Sequence, residues 1–417
     1  MLDGLRKFLS EGGAPPEVRD AASTASLFFV AERMERIFQL PVVDAPGLFL
    51  VGGQIDPASF GPIGTLLPPA SATGIGLDLW QAARGCICEG VEFLSQLARV
   101  DRGFLTGAAH EVPHGIEDDE LTSLLGMLGV GVQDSDAPLK WIEAKPVSEG
   151  SPILIPAELC YRNVQDTHGR VPRIKLSTGC GAGTSCEGAL LHGLLELVER
   201  DAVALWWLGG RRGSELPETG IPATLRRAVR REASSRISWL LDITTDLGIP
   251  CIAALSTDAD GSGLAAGFAA RLGHAEAIRA AVFEMCQMEV GLHLILMKRR
   301  QIGDDALNDT ERKHLRCAFG FDVRNCPILF PSRQASRVEF EDPANSAPLA
   351  QLEQALNSRG VRAWWIDLTR PDLAIPAVRT IAPALQPYPT DLITPRLQRQ
   401  ILQTGEGFGL TSGIQLM

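Results

Sequence analysis

Three long stretches of the chain carry apolar residues at three- and four-residue intervals and predict the main helices, over about 78–100, 185–208 and 275–299. Asp78 stands where an N-cap is expected. A further helix is expected in "ASLFFVAERMERIFQL" (25–40), another in "DDELTSLLGMLG" (118–129) and a basic one over 222–235. Strands are predicted at "GLFLVGG" (47–53), at "PILIPAELCY" (152–161, interrupted by proline), at "RVPRIKLST" (170–178), and near 249–257 and 263–271. Beyond 360 the pattern reads strand, turn, strand and then a proline-spaced tail. Residues 56–73 read as loop, and 1–24 as a polar, partly mobile start. Strands and helices do not alternate regularly. The expectation is an α+β fold, with long helices packed on mixed or antiparallel sheets.

The long helices resemble one another. Gly76, Ala82, Glu89 and Glu92 have the same spacing as Gly183, Ala189, Glu196 and Glu199, and Ala277, Glu284 and Gln287 repeat the last part. This is an internal pseudo-repeat. Residues three apart share a helix face, so each pair projects together from a largely apolar helix. Buried carboxylates are costly unless a cation neutralises them. Arg200 can pair with Glu196 at i+4, but it cannot satisfy four acids. Two readings remain: solvated helix faces, or a site in which several carboxylates hold Mg²⁺ and a polyphosphate. The turn "STGCGAGTS" (177–185) is placed to offer backbone N–H groups to a phosphate, although it is neither a P-loop nor a Rossmann fingerprint. His192 lies on the face of Glu196 and reads equally well as a core histidine.

Composition narrows the classes. The 417 residues include 39 Lys plus Arg and 50 Asp plus Glu, a net charge of −11 that argues against nucleic acid or anionic lipid as the main partner. No stretch approaches the roughly 20 apolar residues of a membrane span, and the N-terminus lacks the pattern of a secretory signal. Nine cysteines, an odd number without paired finger spacing, read as reduced thiols of a cytoplasmic protein. No HExxH or GxSxG motif is present. The Trp206–Trp207 and Trp364–Trp365 pairs read as packing aromatics, and "TLRRAVRRE" as an exposed basic face or docking patch.

With these residues assembled, the chain resembles the YcaO family of ATP-dependent peptide-backbone-modifying enzymes. The resemblance rests on "GIGLDLWQAARGCICEGVEF", "LSTGCGAGTSCEGALLHGLLELVERDAVALWW", "GFAARLGHAEAIRAAVFEMCQMEV" and "IDLTRPDLAIPAVRTIAPAL", in family order over most of 70–385. It implies a YcaO-type ATP-binding fold over 70–385, a partner- or peptide-contacting segment at 1–69, and a C-terminal tail (386–417) reaching towards the active site. It further implies that Glu89, Glu92, Glu196, Glu199 and Glu284 surround Mg²⁺. Ser177, Gly183, Thr184, Glu187, Arg200 and Gln287 join Glu89, Glu92, Glu196 and Glu284 around ATP, and Arg200, Glu196 and Gln287 take part in the chemistry. The implied activity is that of a cyclodehydratase subunit. ATP phosphorylates backbone amide oxygens of a ribosomal precursor peptide, and Cys, Ser or Thr side chains then close to thiazolines or oxazolines. A thioamide-forming enzyme with a sulfur-delivering partner, or a non-catalytic scaffold, are the alternatives. The partners implied are the precursor, a separate E1-like leader-binding subunit, an FMN-dependent azoline dehydrogenase, and a second copy of the chain within a larger complex.

Overall fold

The computed structural model describes residues 22–61, 67–130, 136–164, 171–231, 234–320, 322–332, 347–405, 407, 411 and 416. The expected mobile start therefore lies almost wholly outside the described residues. The chain opens with α1 (Ala22–Arg33), β1 (Arg36–Leu40), β2 (Phe49–Ile55), β3 (Ala70–Gly76) and α2 (Leu79–Ser95). There follow β4 (Leu105–Gly107), α3 (Asp118–Met127), β5 (Leu139–Pro146), β6 (Ile153–Pro156), β7 (Cys180–Ala182) and α4 (Cys186–Trp207). Next come β8 (Ser214–Glu215), α5 (Ile221–Arg230), β9 (Ile237–Asp242), β10 (Cys251–Thr257), β11 (Ala265–Ala270) and α6 (His274–Ile302). The last elements are α7 (Asp309–Phe319), α8 (Pro348–Asn357), β12 (Trp364–Asp367), β13 (Ala377–Ile381) and α9 (Pro395–Thr404).

The strands make three sheets, ordered β1-β2-β3, β11-β10-β9-β8 and β4-β5-β12-β13-β7, with β6 added on β5. Every described pairing is antiparallel. The α+β expectation holds, with antiparallel rather than mixed sheets. The first sheet crosses the expected boundary at 69/70, because β1 and β2 pair with β3.

Several local expectations are corrected. The helix expected over 25–40 stops at Arg33, and "RIFQL" is an edge strand with a half-exposed pattern. The last residues of the expected 56–73 loop begin β3. The segment 171–178 is irregular, and the strand lies one step on, in the glycine-rich "CGA" itself. The proline-spaced tail contains α9, which starts at Pro395 behind the Thr394 N-cap.

Two of the three long helices, α2 and α4, start at side-chain caps. Asp78 accepts the Gln81 N–H, and Ser185 accepts the Gly188 N–H. Each helix lies on the strand that precedes it, and a strand glycine makes the approach close. A Cβ at Gly74 would collide with the Ala82 carbonyl, one at Gly181 with the Ala189 carbonyl, and one at Gly267 with the Met285 amide. Strand and helix backbones therefore touch in all three repeats, at equivalent residues in the first two and about one helical turn further along α6 in the third. Trp206 and Trp207 are fully buried, in the core that joins α4 to β10 and β11. The 29-residue α6 is apolar enough in length and composition to cross a membrane, yet it packs on β10 and β11 as a core helix and carries Glu284, Gln287 and Glu289. The basic run on α5 is only partly exposed. Arg230 is buried and forms a two-pronged pair with Glu289 at 2.6 and 2.7 Å, tying α5 to α6.

Candidate active site

The strands β3, β7 and β11 are each the last of their sheet, and they converge on one cavity of about 700 Å³. An edge strand leaves backbone N–H groups without a neighbour, and here helix carboxylates take them. Thr73 N–H donates to Glu89 Oε2 at 2.6 Å, and Phe268 N–H to Glu284 Oε2 at 2.6 Å. Gly179 N–H, just ahead of β7, donates to Glu196 Oε2 at 2.9 Å. Glu89, Glu196 and Glu284 are the equivalent acids of the three repeats, and each is pinned by the strand beneath its own helix. Glu92 crosses between repeats and accepts the Ala182 N–H at 3.0 Å. A hydrogen bond of this kind contributes about 0.5–1.5 kcal/mol, and these favour the observed rotamers before any ligand arrives.

Glu89, Glu92, Glu196, Glu199, Glu284, Arg200 and Ser177 all line the cavity. Arg200 Nη2 lies 3.2 Å from Glu196 Oε1 and 3.5 Å from Glu199 Oε1. Gln287 stands one layer back, where its Nε2 donates to Thr73 Oγ1 at 2.7 Å, and that hydroxyl donates to Glu89 at 3.2 Å. The third helix is thereby connected to the first strand, and Gln287 acts on the site through Thr73.

Gly183, Thr184 and Glu187 do not line this cavity. Gly183 N–H is bound to the Pro376 carbonyl, Thr184 is exposed, and Glu187 lies towards Glu353 on α8, whose pKa is raised by burial and, second, by the Glu187 charge. The expected phosphate cradle at 177–185 has several of its amides already engaged. The amides of Gly179, Ala182 and Gly183 go to Glu196, Glu92 and the Pro376 carbonyl, and that of Cys180 to the Ser177 carbonyl. His192 does reach the cavity, with Nδ1 3.3 Å from the Ala182 carbonyl, and burial pulls its pKa down. Ile75, between two glycines, packs against the apolar cluster of α5 and α6.

Repeat spacing missed Thr73, Arg162 and Arg271 as components of the site. They lie on strand and loop positions that no helical periodicity marks.

Burial raises the pKa of Glu92 from 4.5 to about 8, and the Glu196 and Glu89 charges push it in the same direction. Glu199 also rises to about 8. Burial and the Glu284 and Glu196 charges outweigh Arg200, which favours its ionised form. Glu89 and Glu284 are raised by burial as well, against their backbone hydrogen bonds. The folded chain thus holds protons that the unfolded chain gives up, and stability from Glu92 and Glu199 falls as pH rises from 4.5 towards about 8. A cation bound here must displace those protons. Mg-ATP is expected to stabilise the fold more at the top of that window than in its middle, with proton release on binding. Calorimetry in two buffers of different ionisation enthalpy checks this; identical heats in both would contradict it.

The sequence pattern of one protein family, described as YcaO cyclodehydratase, ATP- and Mg²⁺-binding, matches residues 73–386. The chain belongs to the YcaO family. Among solved structures, a heterocyclase in complex with substrate and cofactor superimposes with a TM-score of 0.66 at 23% identity, covering 85% of this chain and 50% of its own. The chain therefore spans about half the length of that heterocyclase. YcaO from Methanopyrus kandleri, bound with AMPPCP and Mg²⁺, gives a TM-score of 0.60 at 19% identity and covers 88% and 92% of the two chains. The Escherichia coli microcin synthetase McbBCD complex gives 0.61 at 16% identity, with 84% and 88% covered. The cofactors of a YcaO protein are ATP and Mg²⁺, and this donor set fits them. Oxygen ligands of raised pKa suit a hard divalent cation. Among the described residues no three acidic, His or Cys side chains form a ready-made metal cluster.

Proposed function

We propose that this YcaO protein is an ATP-dependent peptide cyclodehydratase, acting in the cytoplasm on a ribosomal precursor peptide. The observation that carries the reading is the ring of glutamates from all three repeats, pinned on three strands around one cavity beside Arg200. An amide carbon is a poor electrophile because its oxygen leaves badly. Transfer of the terminal phosphoryl of ATP to that oxygen breaks a phosphoanhydride bond and makes a good leaving group. A Cys, Ser or Thr side chain then adds at the carbon, phosphate departs with the former amide oxygen, and the side-chain and amide protons are lost.

The net change is loss of water from the peptide. Mg²⁺, when bound, offsets charge on the polyphosphate. The chain's residues orient and hold. Glu89, Glu92, Glu196, Glu199 and Glu284 would hold the cation, and Arg200, beside Glu196 and Glu199 in the same cavity, would offset negative charge on the transferring group. Ser177 remains a nucleotide contact. Gln287 is a positioning residue, through Thr73.

The described residues around Tyr388 support a tail at 386–417 that reaches towards the site. Leu416 N–H donates to the Tyr388 hydroxyl at 2.7 Å, and Tyr388 lines a small cavity shared with Lys175 and Arg200. A separate E1-like leader-binding subunit, an FMN-dependent azoline dehydrogenase and a second copy of the chain complete the proposed assembly. The likeness to a chain of a synthetase complex supports this arrangement.

The test mixes the protein with a precursor encoded beside it, candidate partners and Mg-ATP, then follows precursor mass and phosphate together. Loss of water in step with phosphate release is expected. Exchange of oxygen for sulfur would replace azoline formation by thioamidation. An unchanged precursor with no ATP consumed under any combination would leave a scaffold.

A further inference from the structure

The cavity is lined by five glutamates and three arginines, yet only Arg200 is ion-paired with these acids. Among the described residues, Arg162 and Arg271 have no carboxylate partner. Arg162 is held in place by other means. Its backbone N–H binds the Gln96 carbonyl at 2.9 Å, its Nε donates to Gln96 Oε1 at 2.7 Å, and its guanidinium lies 5.6 Å from the Phe93 ring centroid. The next residue, Asn163, clasps both backbone groups of Ala98 at 2.7 and 2.9 Å. These contacts fasten the loop to the end of α2 and leave both Nη groups of Arg162 for an acceptor. Arg271, at the junction of β11 and α6, is steadied by Pro250 at its amide and by the Ala270 carbonyl at Nη1.

Four of the glutamates, Glu89, Glu92, Glu196 and Glu284, are committed to backbone amides of the strands and the turn before β7, and Glu199 is held by Arg200. Arg200 apart, the arginines and the acids of this cavity are pinned on separate scaffolds and make no hydrogen bond to one another. Such a site has low energy only with a ligand that carries both signs, and a divalent cation on a polyphosphate is that ligand. We propose that Arg162 and Arg271 form an anion clamp that takes non-bridging phosphate oxygens while the glutamates face the cation. The guanidinium fork matches two such oxygens at once. The proposal rests on the reading that this cavity holds Mg-nucleotide, and its test separates the two.

Arg162→Met, Arg271→Met and Arg162→Lys are made in the full chain, with unliganded melting as the fold control. Equilibrium affinities are measured for Mg-ATP, Mg-tripolyphosphate and adenosine. Each Met variant is expected to bind the two polyphosphates about tenfold to a hundredfold more weakly, with adenosine unchanged and Arg162→Lys intermediate. Polyphosphate affinities equal to those of the unsubstituted chain would overturn the clamp. So would a change confined to the Michaelis constant for the precursor, which would assign the arginines to a peptide carboxylate instead. Failure of the unsubstituted chain to bind any of the three ligands would sink the nucleotide reading, and the clamp with it.

Discussion

Glu196→Gln is expected to leave the fold standing and to slow ATP-dependent modification of the precursor by roughly 10²–10³-fold. Glutamine keeps an oxygen where Oε2 accepts the Gly179 N–H at 2.9 Å, so the tie between α4 and the approach to β7 survives. What disappears is a negative charge facing the cavity and one of the two carboxylates paired with Arg200, which retains Glu199 at 3.5 Å. Loss of that charge also removes the second largest influence raising the pKa of Glu92, which should fall back towards the ordinary carboxylate range. Single-turnover phosphate release, read beside thermal melting, is the measurement. Undiminished release with normal melting would remove Glu196 from the chemistry. Poor release with collapsed melting would make it a structural group.

The largest stability effect is expected at Gly267. An added methyl there meets the Met285 amide and the Ala281 carbonyl, both on the backbone of α6, so no side chain can rotate out of its way. Strand and helix must separate. Gly267→Ala should cost about 3 kcal/mol or more, at the upper end of overpacking penalties. Gly291→Ala, on α6 itself, provides the opposite case. A methyl at Gly291 meets nothing within 4 Å, and a mid-helix glycine replaced by alanine gains about 0.5–1 kcal/mol. Urea unfolding of the two variants, compared through midpoints at constant slope, decides the matter. Equal midpoints would mean that β11 and α6 are less tightly apposed than described.

The long helices and the acids on them were legible because amphipathic periodicity and a three-residue spacing are properties of the local sequence. Asp78 as a cap belongs to the same class. The strand "CGA" was not legible, because its strand character comes from pairing with β13, almost two hundred residues away in the chain. The irregular 171–178 segment misled in the opposite sense. Its alternation is that of a strand, but no partner strand lies beside it among the described residues. The glycine-rich turn displayed free amides in the sequence and lost them in the fold, where Glu92 arrives from the other repeat. Arg162 and Arg271 were silent because a single arginine in a loop has no pattern, and only the shared cavity brings them into one site.

The three terminal strands have a further consequence for how this protein can be mutated. Their outward amides are covered by side chains, not by neighbouring strands. Alanine at Glu89, Glu196 or Glu284 would uncover a strip of backbone donors able to recruit a strand from another copy, and the outcome would be association and precipitation. An alanine scan would then record insolubility as loss of catalysis. Glutamine, which removes the charge but keeps the cover, is the substitution that isolates the chemistry.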